Sequence, residues 1–400
     1  MWGIAPGIAL ALCYPTWHLF PLAWLALAPF LYRFWRAGPK SCAFAFFLAG
    51  LAFHLVLLQW LLANVYWAGG WAVWGYAALS ALMAAYWAAT GAAWAWIRRR
   101  LPWIPPALVL AVLWAAMELV QGWAFSGFGW SALAYSQGGD LAVIQWAAVG
   151  GAPLVSALLA GFNALAAQIA VEKGHRIRCI VVAVVLLVVA HGGGALLLDE
   201  PDYAAEPLDV GLVQADFPLE MKWDPEYSVE MVRNAAEKSR LLAERHEVGL
   251  LVWPESLIMD ELDTPGILDE VTGLCRDTGA ALFAGSHRSN PATGGPLNSS
   301  YLIDRDGAVV DYYDKVHLAP FGEYVPLGDY LPFIQHVVPA IGAIEAGEAQ
   351  KVLPVAGRRF GPLICFEVLF APMAERLRQE GADFLIVVTN LGWFGHSNAI

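Results

Sequence analysis

The first 198 residues contain one stretch after another that is long enough to cross a bilayer and almost free of charge, and this decides what the chain can become. A hydrocarbon core about 30 Å thick needs roughly 20 helical residues rising about 1.5 Å each. Thr16–Tyr32, Ser41–Leu62, Trp71–Ile97, Ile104–Val120, Val143–Val171 and Cys179–Leu198 read as such spans. Met1–Leu12 is short and apolar, so it is either a cleaved signal segment or a shortened first span. Trp2–Leu12 lacks the basic region a signal peptide needs, which favours a span. The expectation is a polytopic α-helical membrane domain of about 7 spans over residues 1–198, a linker over 199–206, and a second domain over 207–400.

Charge divides the chain at the same place. Residues 1–198 carry 9 Lys/Arg and 3 Asp/Glu, while residues 199–400 carry 14 and 32, so the halves stand at +6 and −18. A mean hydropathy of +0.53 excludes a wholly cytosolic enzyme. The acidic water-soluble half excludes nucleic acid as a partner, because phosphate binding needs a basic face. All nine basic residues of the apolar half fall in three gaps: Arg33, Arg36 and Lys40; Arg98, Arg99 and Arg100; Lys173, Arg176 and Arg178. Positive-inside bias puts those gaps and the N-terminus in the cytoplasm. One further span then carries the acidic half to the opposite, periplasmic face. Trp17, Trp60, Tyr66, Trp67, Trp71, Trp103, Trp123 and Trp130 crowd the span ends, where amphipathic rings anchor and pack. Glu118 lies within an apolar run, and such a residue faces either a functional cavity or a buried hydrogen-bond partner. The Gly- and aromatic-rich loop Gly122–Gln137 suits a re-entrant or interfacial segment.

From Pro207 the pattern changes to short β-branched runs separated by amphipathic helices. Strands are expected at Leu208–Gln214, Gly249–Trp253, Ala281–Ser286, Ser300–Asp304, Val309–Tyr313, Phe360–Cys365 and Phe384–Thr389. Helices are expected at Tyr227–Glu247, Thr264–Thr278 and Ala371–Gly381, which together argue for an α/β sheet domain flanked by helices.

Three strand ends carry reactive groups: Glu255 after Leu250–Trp253, Lys315 after Val309–Asp314, and Cys365 closing Gly361–Cys365. Alone, each is ordinary: a strand cysteine is commonly a small buried hydrophobe, a glutamate a cap, a lysine a solvated charge. Together they make nucleophilic chemistry possible. A cation favours the thiolate, a carboxylate takes its proton, and the lysine with the backbone N–H after the cysteine stabilises an oxyanion. His317 is an alternative base. The five cysteines, at 13, 42, 179, 275 and 365, form no disulfide framework, and the nine histidines contain no His-x-x-x-His pair, so no metal site is expected. Neither Gly-x-Gly-x-x-Gly nor a P-loop string occurs, so no cofactor is implied. His191-Gly-Gly-Gly194 mimics a lipase oxyanion string, but there is no Gly-x-Ser-x-Gly elbow to accompany it.

These contexts, Trp253-Pro-Glu-Ser256, Tyr313-Asp-Lys-Val-His-Leu318 and Ile364-Cys-Phe-Glu367, resemble the nitrilase (carbon-nitrogen hydrolase) superfamily with its Glu-Lys-Cys triad. Joined to a polytopic first half, they resemble more closely the apolipoprotein N-acyltransferase family. Val213-Gln-Ala-Asp216, Lys222-Trp-Asp224, Pro320-Phe-Gly-Glu-Tyr-Val-Pro326, Thr389-Asn390 and Trp393-Phe-Gly395 extend the likeness, as does the membrane-loop string from Glu118 to Gln137.

The resemblance implies a four-layer αββα nitrilase-like domain in which Cys365 is the nucleophile, Glu255 the general base and Lys315 the oxyanion partner. Glu323 and Glu367 would support them, and Trp223, Phe366 and Trp393 would contact substrate. It further implies a monomer of the bacterial inner membrane. That enzyme would move an acyl chain from a phospholipid donor, through a thioester, to the α-amine of a diacylglyceryl lipoprotein. The alternatives are a membrane-tethered amidase and a catalytically silent lipoprotein-binding relative. Departures from the family pattern are Phe366 in place of a common Tyr, Leu391 in place of a common Asp, and Gln121 in place of a common Arg. The family pattern also continues past Ile400, so the second domain is expected to be incomplete.

Overall fold

The computed structural model describes residues 3–15, 17–64, 69–198, 207–222, 224–325, 344–395 and 397. Two compact units are built from Met1–Pro201 and Asp202–Gly395. The expected linker 199–206 lies outside the described residues.

In the first unit, Pro39–Leu57, Trp71–Arg100, Ala147–Val171 and Lys173–Leu197 are long and apolar enough to cross a membrane. The remaining apolar stretches form shorter pieces: Ala5–Ala11, a 3-10 turn Phe20–Trp24 followed by Ala28–Phe34, and Pro106–Gln121. Proline sets most of these beginnings. Pro6, Pro21, Pro29, Pro39 and Pro106 each occupy a first turn, where a missing N–H leaves no bond unmade. Hydropathy sees Thr16–Tyr32 as continuous, but two of these prolines divide it.

Helices Pro39–Leu57 and Trp71–Arg100 close on one another where glycine meets an aromatic ring. A Cβ at Gly91 would lie 2.5 Å from Phe46, and one at Gly50 would lie 2.9 Å from Trp87. Glu118 is buried, and its Oε1 accepts from Trp114 Nε1 at 2.9 Å and from Leu133 N at 2.8 Å. The hydrogen-bonding role therefore accounts for this carboxyl: it fastens the loop Gly122–Gln137, which Tyr14 Oη also holds by donating to Ala132 O at 2.8 Å. Trp71, Trp103 and Trp123 are exposed, whereas Trp60 is buried against Trp130. Tyr66 and Trp67 lie outside the described residues.

The second unit holds two sheets. Strands β1 (Val210–Leu212), β2 (Leu250–Val252), β3 (Ala281–Ser289), β4 (Pro296–Ile303) and β5 (Val309–Asp314) form the first in sequence order. The first two pairings are parallel and the next two antiparallel, so β1, β2, β3 and β5 all point one way. The second sheet comprises β6 (Leu353–Val355), β7 (Arg358–Ile364) and β8 (Phe384–Val388). Every expected strand is present. The β3–β4 hairpin runs further than expected, and β6 was not anticipated because three residues containing Pro354 carry no period.

Strand alternation explains the layering. Leu251 and Trp253 face helices Ser228–Ala243 and Ile267–Thr278, burying Val232, Ala236, Val271 and Leu274. Leu250 and Val252 face the other way, packing with Phe283 and Tyr313 against Phe360, Ile364 and Ile386 of the second sheet. On the far side of that sheet, helix Ala371–Gln379 places Leu377 over Gly361. The layers are thus helix, sheet, sheet, helix.

Gly285 in β3 permits the close approach that positions Glu255. A Cβ there would lie 2.5 Å from Pro254 O and 2.7 Å from Glu255 Cα. Gly285→Ala is expected to lower denaturant stability by about 1–3 kcal/mol, as overpacking does. Gly273→Ala, on an open helix face where the nearest atom is 4.0 Å away, should be neutral or stabilising by up to about 1 kcal/mol. Equal midpoints for the two variants would contradict the close approach.

Candidate active site

Because β2 and β5 share a direction, their carboxyl ends deliver Glu255 and Lys315 to one end of the sheet, and antiparallel β4 places Asn298, its third residue, there. The ammonium of Lys315, 1% exposed, lies 3.5 Å from Glu255 Oε1 and 3.0 Å from the Glu323 carboxylate. Asn298 Nδ2 donates to both carboxylates, at 2.9 Å each, and so fixes their separation. The second oxygen of Glu255 accepts from Asn390 N at 2.8 Å, and that of Glu323 from Ala319 N at 2.7 Å. Burial pulls the lysine's pKa down, but Glu255 and Glu323 together raise it above the ordinary range, so it stays charged.

Cys365 follows β7 as the first residue of a 3-10 turn, Cys365–Leu369, with φ at +54°. A left-handed non-glycine residue between strand and helix is a strained elbow that thrusts its side chain out of the sheet. The thiol lies within reach of the Thr389 side chain and of the charges on Glu255, Lys315 and Glu323. The structure corrects one expectation here. Sequence reasoning calls for an ionised sulfur, yet burial and then the Glu255 charge push the thiol up to about 12, and Lys315 and Thr389 only partly offset them. The resting group is a neutral thiol beside a carboxylate that can take its proton as bonds form.

Glu367 is fully buried and acts as a clamp. Its carboxylate accepts from Val316 N at 2.8 Å, His317 N at 3.0 Å, Ile364 N at 2.7 Å and Tyr313 Oη at 2.9 Å. It ties the chain just after Lys315 to the chain just before Cys365, and so sets ammonium and sulfur relative to each other. Burial raises its pKa and these donors oppose the rise.

The other anticipated residues are spread around this centre. Phe366 is buried, its ring edge-on to Phe370 at 5.0 Å. Trp393 is half-buried in the turn Leu391–Phe394, which Asn390 starts by accepting from Gly392 N at 3.2 Å. Trp223 lies outside the described residues. The ring of His317 packs on Phe370 at 3.8 Å, while the Glu255 carboxylate is the charge that most strongly holds the proton on the thiol. Among the described residues no cluster of three metal-ligating side chains occurs.

Sequence reasoning missed Asn298 and His287, and it took Asn390 as part of a motif without a role. The first two sit in unremarkable polar stretches and acquire a role only through strand pairing. It quoted Lys222 as part of a motif without giving it a role. In the fold that lysine is buried and feels the charge of Glu255, with no hydrogen-bond or ion-pair partner for its ammonium among the described residues.

Glu255→Gln should remove the proton acceptor and slow covalent capture at Cys365 by about 10²–10⁴-fold. Removing the same negative charge should move the thiol's ionisation to lower pH, seen as an alkylation profile displaced downward. His317→Ala should keep most of the reactivity. The reverse order of these two variants would transfer the base assignment to His317.

Residues 6–165 match the family described as apolipoprotein N-acyltransferase N-terminal domain, and residues 209–399 match carbon-nitrogen hydrolase. An apolipoprotein N-acyltransferase of Geobacter metallireducens is 31% identical over 99% of this chain and 78% of its own length. One from Chromobacterium violaceum is 31% identical over 97% of this chain and 74% of its own. Among solved structures, an amidase of Nesterenkonia from the nitrilase superfamily aligns with 46% of this chain and 64% of its own, at 22% identity and a TM-score of 0.34.

Proposed function

Because this chain belongs to the apolipoprotein N-acyltransferase family, we propose that it transfers an acyl chain from a membrane phospholipid to the α-amine of the diacylglyceryl-cysteine that begins a lipoprotein. The observation that carries this reading is the junction of Glu255, Lys315 and Glu323 through Asn298, beside Cys365.

The reaction runs in two halves. Glu255 takes the Cys365 proton as sulfur attacks the ester carbonyl of the phospholipid. The oxyanion is held by the Lys315 ammonium and by the backbone N–H after the cysteine. Collapse breaks the carbon–oxygen bond, and the leaving lysophospholipid takes the proton back from Glu255. In the second half the α-amine attacks the thioester, a carbon–nitrogen bond forms, and its proton passes through Glu255 to the departing sulfur. Glu323 keeps Lys315 charged and oriented, Glu367 holds the two reactive segments together, Trp223 and Trp393 contact the lipid substrates, and Phe366, expected to join them, is buried and backs the site instead.

Two lipid-anchored substrates favour a site held at a membrane surface, where neither chain has to be drawn into water. We therefore place the protein in the bacterial inner membrane as a monomer, with about 7 spans. The four long helices would cross fully, and the three shorter apolar segments would complete the bundle beside them. The positive gaps face the cytoplasm with the N-terminus, and the acidic domain, residues 207–400, faces the periplasm.

Incubation with phospholipid alone should add one acyl mass to the parent, and Cys365→Ala should take up none. Adding a diacylated lipopeptide should then discharge the adduct into N-acylated peptide. Release of free fatty acid without N-acylated peptide would make the chain a membrane-tethered hydrolase. Binding of lipopeptide with no acyl adduct at any time would make it a silent relative.

A further inference from the structure

His287 and Asn298 are direct partners across the β3–β4 pair, so their side chains emerge on the same face of the sheet. Asn298 is the amide that joins Glu255 to Glu323 through its nitrogen. Its Oδ1 is buried without a hydrogen-bond partner among the described residues, and so is His287 Nε2. Two unpaired buried atoms on facing residues call for a physical reason.

Burial holds the imidazole below the ordinary histidine pKa, while Glu255, Glu323 and Asp260 draw it back up. Glu255 and Asp260 face it from the chain after β2, and Glu323 from the chain after β5. Glu261 adjoins it by a backbone bridge, with its own carboxylate engaged by Ser289. The ring is therefore neutral at rest, and the surrounding carboxylates offset part of the cost that burial sets on a positive charge.

We infer that His287 is the base that relieves the incoming acceptor amine of its extra proton. This assignment rests on the acyl-transfer reading. An α-amine, with a pKa near 8, arrives mainly as an ammonium, and its nitrogen has no lone pair to offer until one N–H bond breaks. In this half-reaction Glu255 already carries one proton, from the attacking nitrogen to the departing sulfur, so the extra proton of the ammonium needs a second acceptor. Lys315 is protonated, and the Glu323 carboxylate is held by that ammonium, by Asn298 and by Ala319 N. The ammonium N–H breaks, an N–H forms on the imidazole, and the freed amine attacks the thioester. The imidazolium gives its proton to water before the next cycle, so no electrons change hands and the proton is accounted for.

The test separates the two half-reactions. His287→Gln, charged with phospholipid, should form the Cys365 thioester at close to the parent's rate, which also shows that the variant folds. Discharge to diacylated lipopeptide should be slower by about tenfold at pH 7, the factor set by the neutral fraction of an amine with pKa near 8, and should approach the parent above about pH 9. Hydroxylamine, an acceptor already neutral at pH 7, should discharge parent and variant alike. Lipopeptide discharge at the parent's rate at pH 7, an equal slowing with hydroxylamine, or loss of thioester formation in the variant would each overturn the assignment. A parent that forms no thioester would instead overturn the acyl-transfer reading on which it rests.

Discussion

A lysine ammonium shut away from water between two carboxylates is the constraint around which the second unit is organised. Isolated, a charge buried as deeply as Lys315 would cost several kcal/mol, and it persists only because Glu255 and Glu323 are held beside it. Two carboxylates at such range repel each other, and Asn298, donating to both, keeps them in place. The ends of β2 and β5 and the beginning of β4 must therefore meet. The parallel-then-antiparallel order of the first sheet brings them together.

The same arrangement decides the state of the nucleophile. Burial and then the Glu255 charge keep the proton on the Cys365 sulfur at rest, and the Lys315 ammonium, shared by two carboxylates, only partly offsets them. Reactivity then depends on proton transfer coupled to attack, which makes the placement of Glu255 critical. Gly285 and Asn390 fix that placement from two sides, one by lacking a side chain and the other through its backbone N–H. Glu367 does for the sulfur and the ammonium what Asn298 does for the two carboxylates. Neither residue needs to touch a substrate to matter.

The first unit obeys a different solvent. Several of its buried polar side chains serve backbone and loop contacts inside the bundle. Glu118 secures the loop after its helix, and Asn163 donates to Ala23 O while accepting from Leu27 N, each at 2.8 Å. Where hydropathy alone suggests uniform spans, prolines shorten some helices, and the Gly150–Gly151 pair, with Gly151 at φ +67°, kinks Ala147–Val171. The exposed row of Ile177, Val181, Val184, Val185 and Val188 along Arg176–Val188 fits hydrocarbon better than water.

Read alone, the sequence determined the division into an apolar and an acidic half, the alternating elements of the second half and the three reactive strand ends. Each of these is written in local periodicity, composition or a short motif, and a few neighbouring residues suffice to reveal it. Tertiary structure decided the rest. It alone paired Asn298 with two distant glutamates, set His287 opposite that amide, made Glu367 a clamp and left the sulfur protonated. These depend on strand register and on the low dielectric of a closed interior, which arise only when segments far apart in the chain are brought together and water is excluded between them.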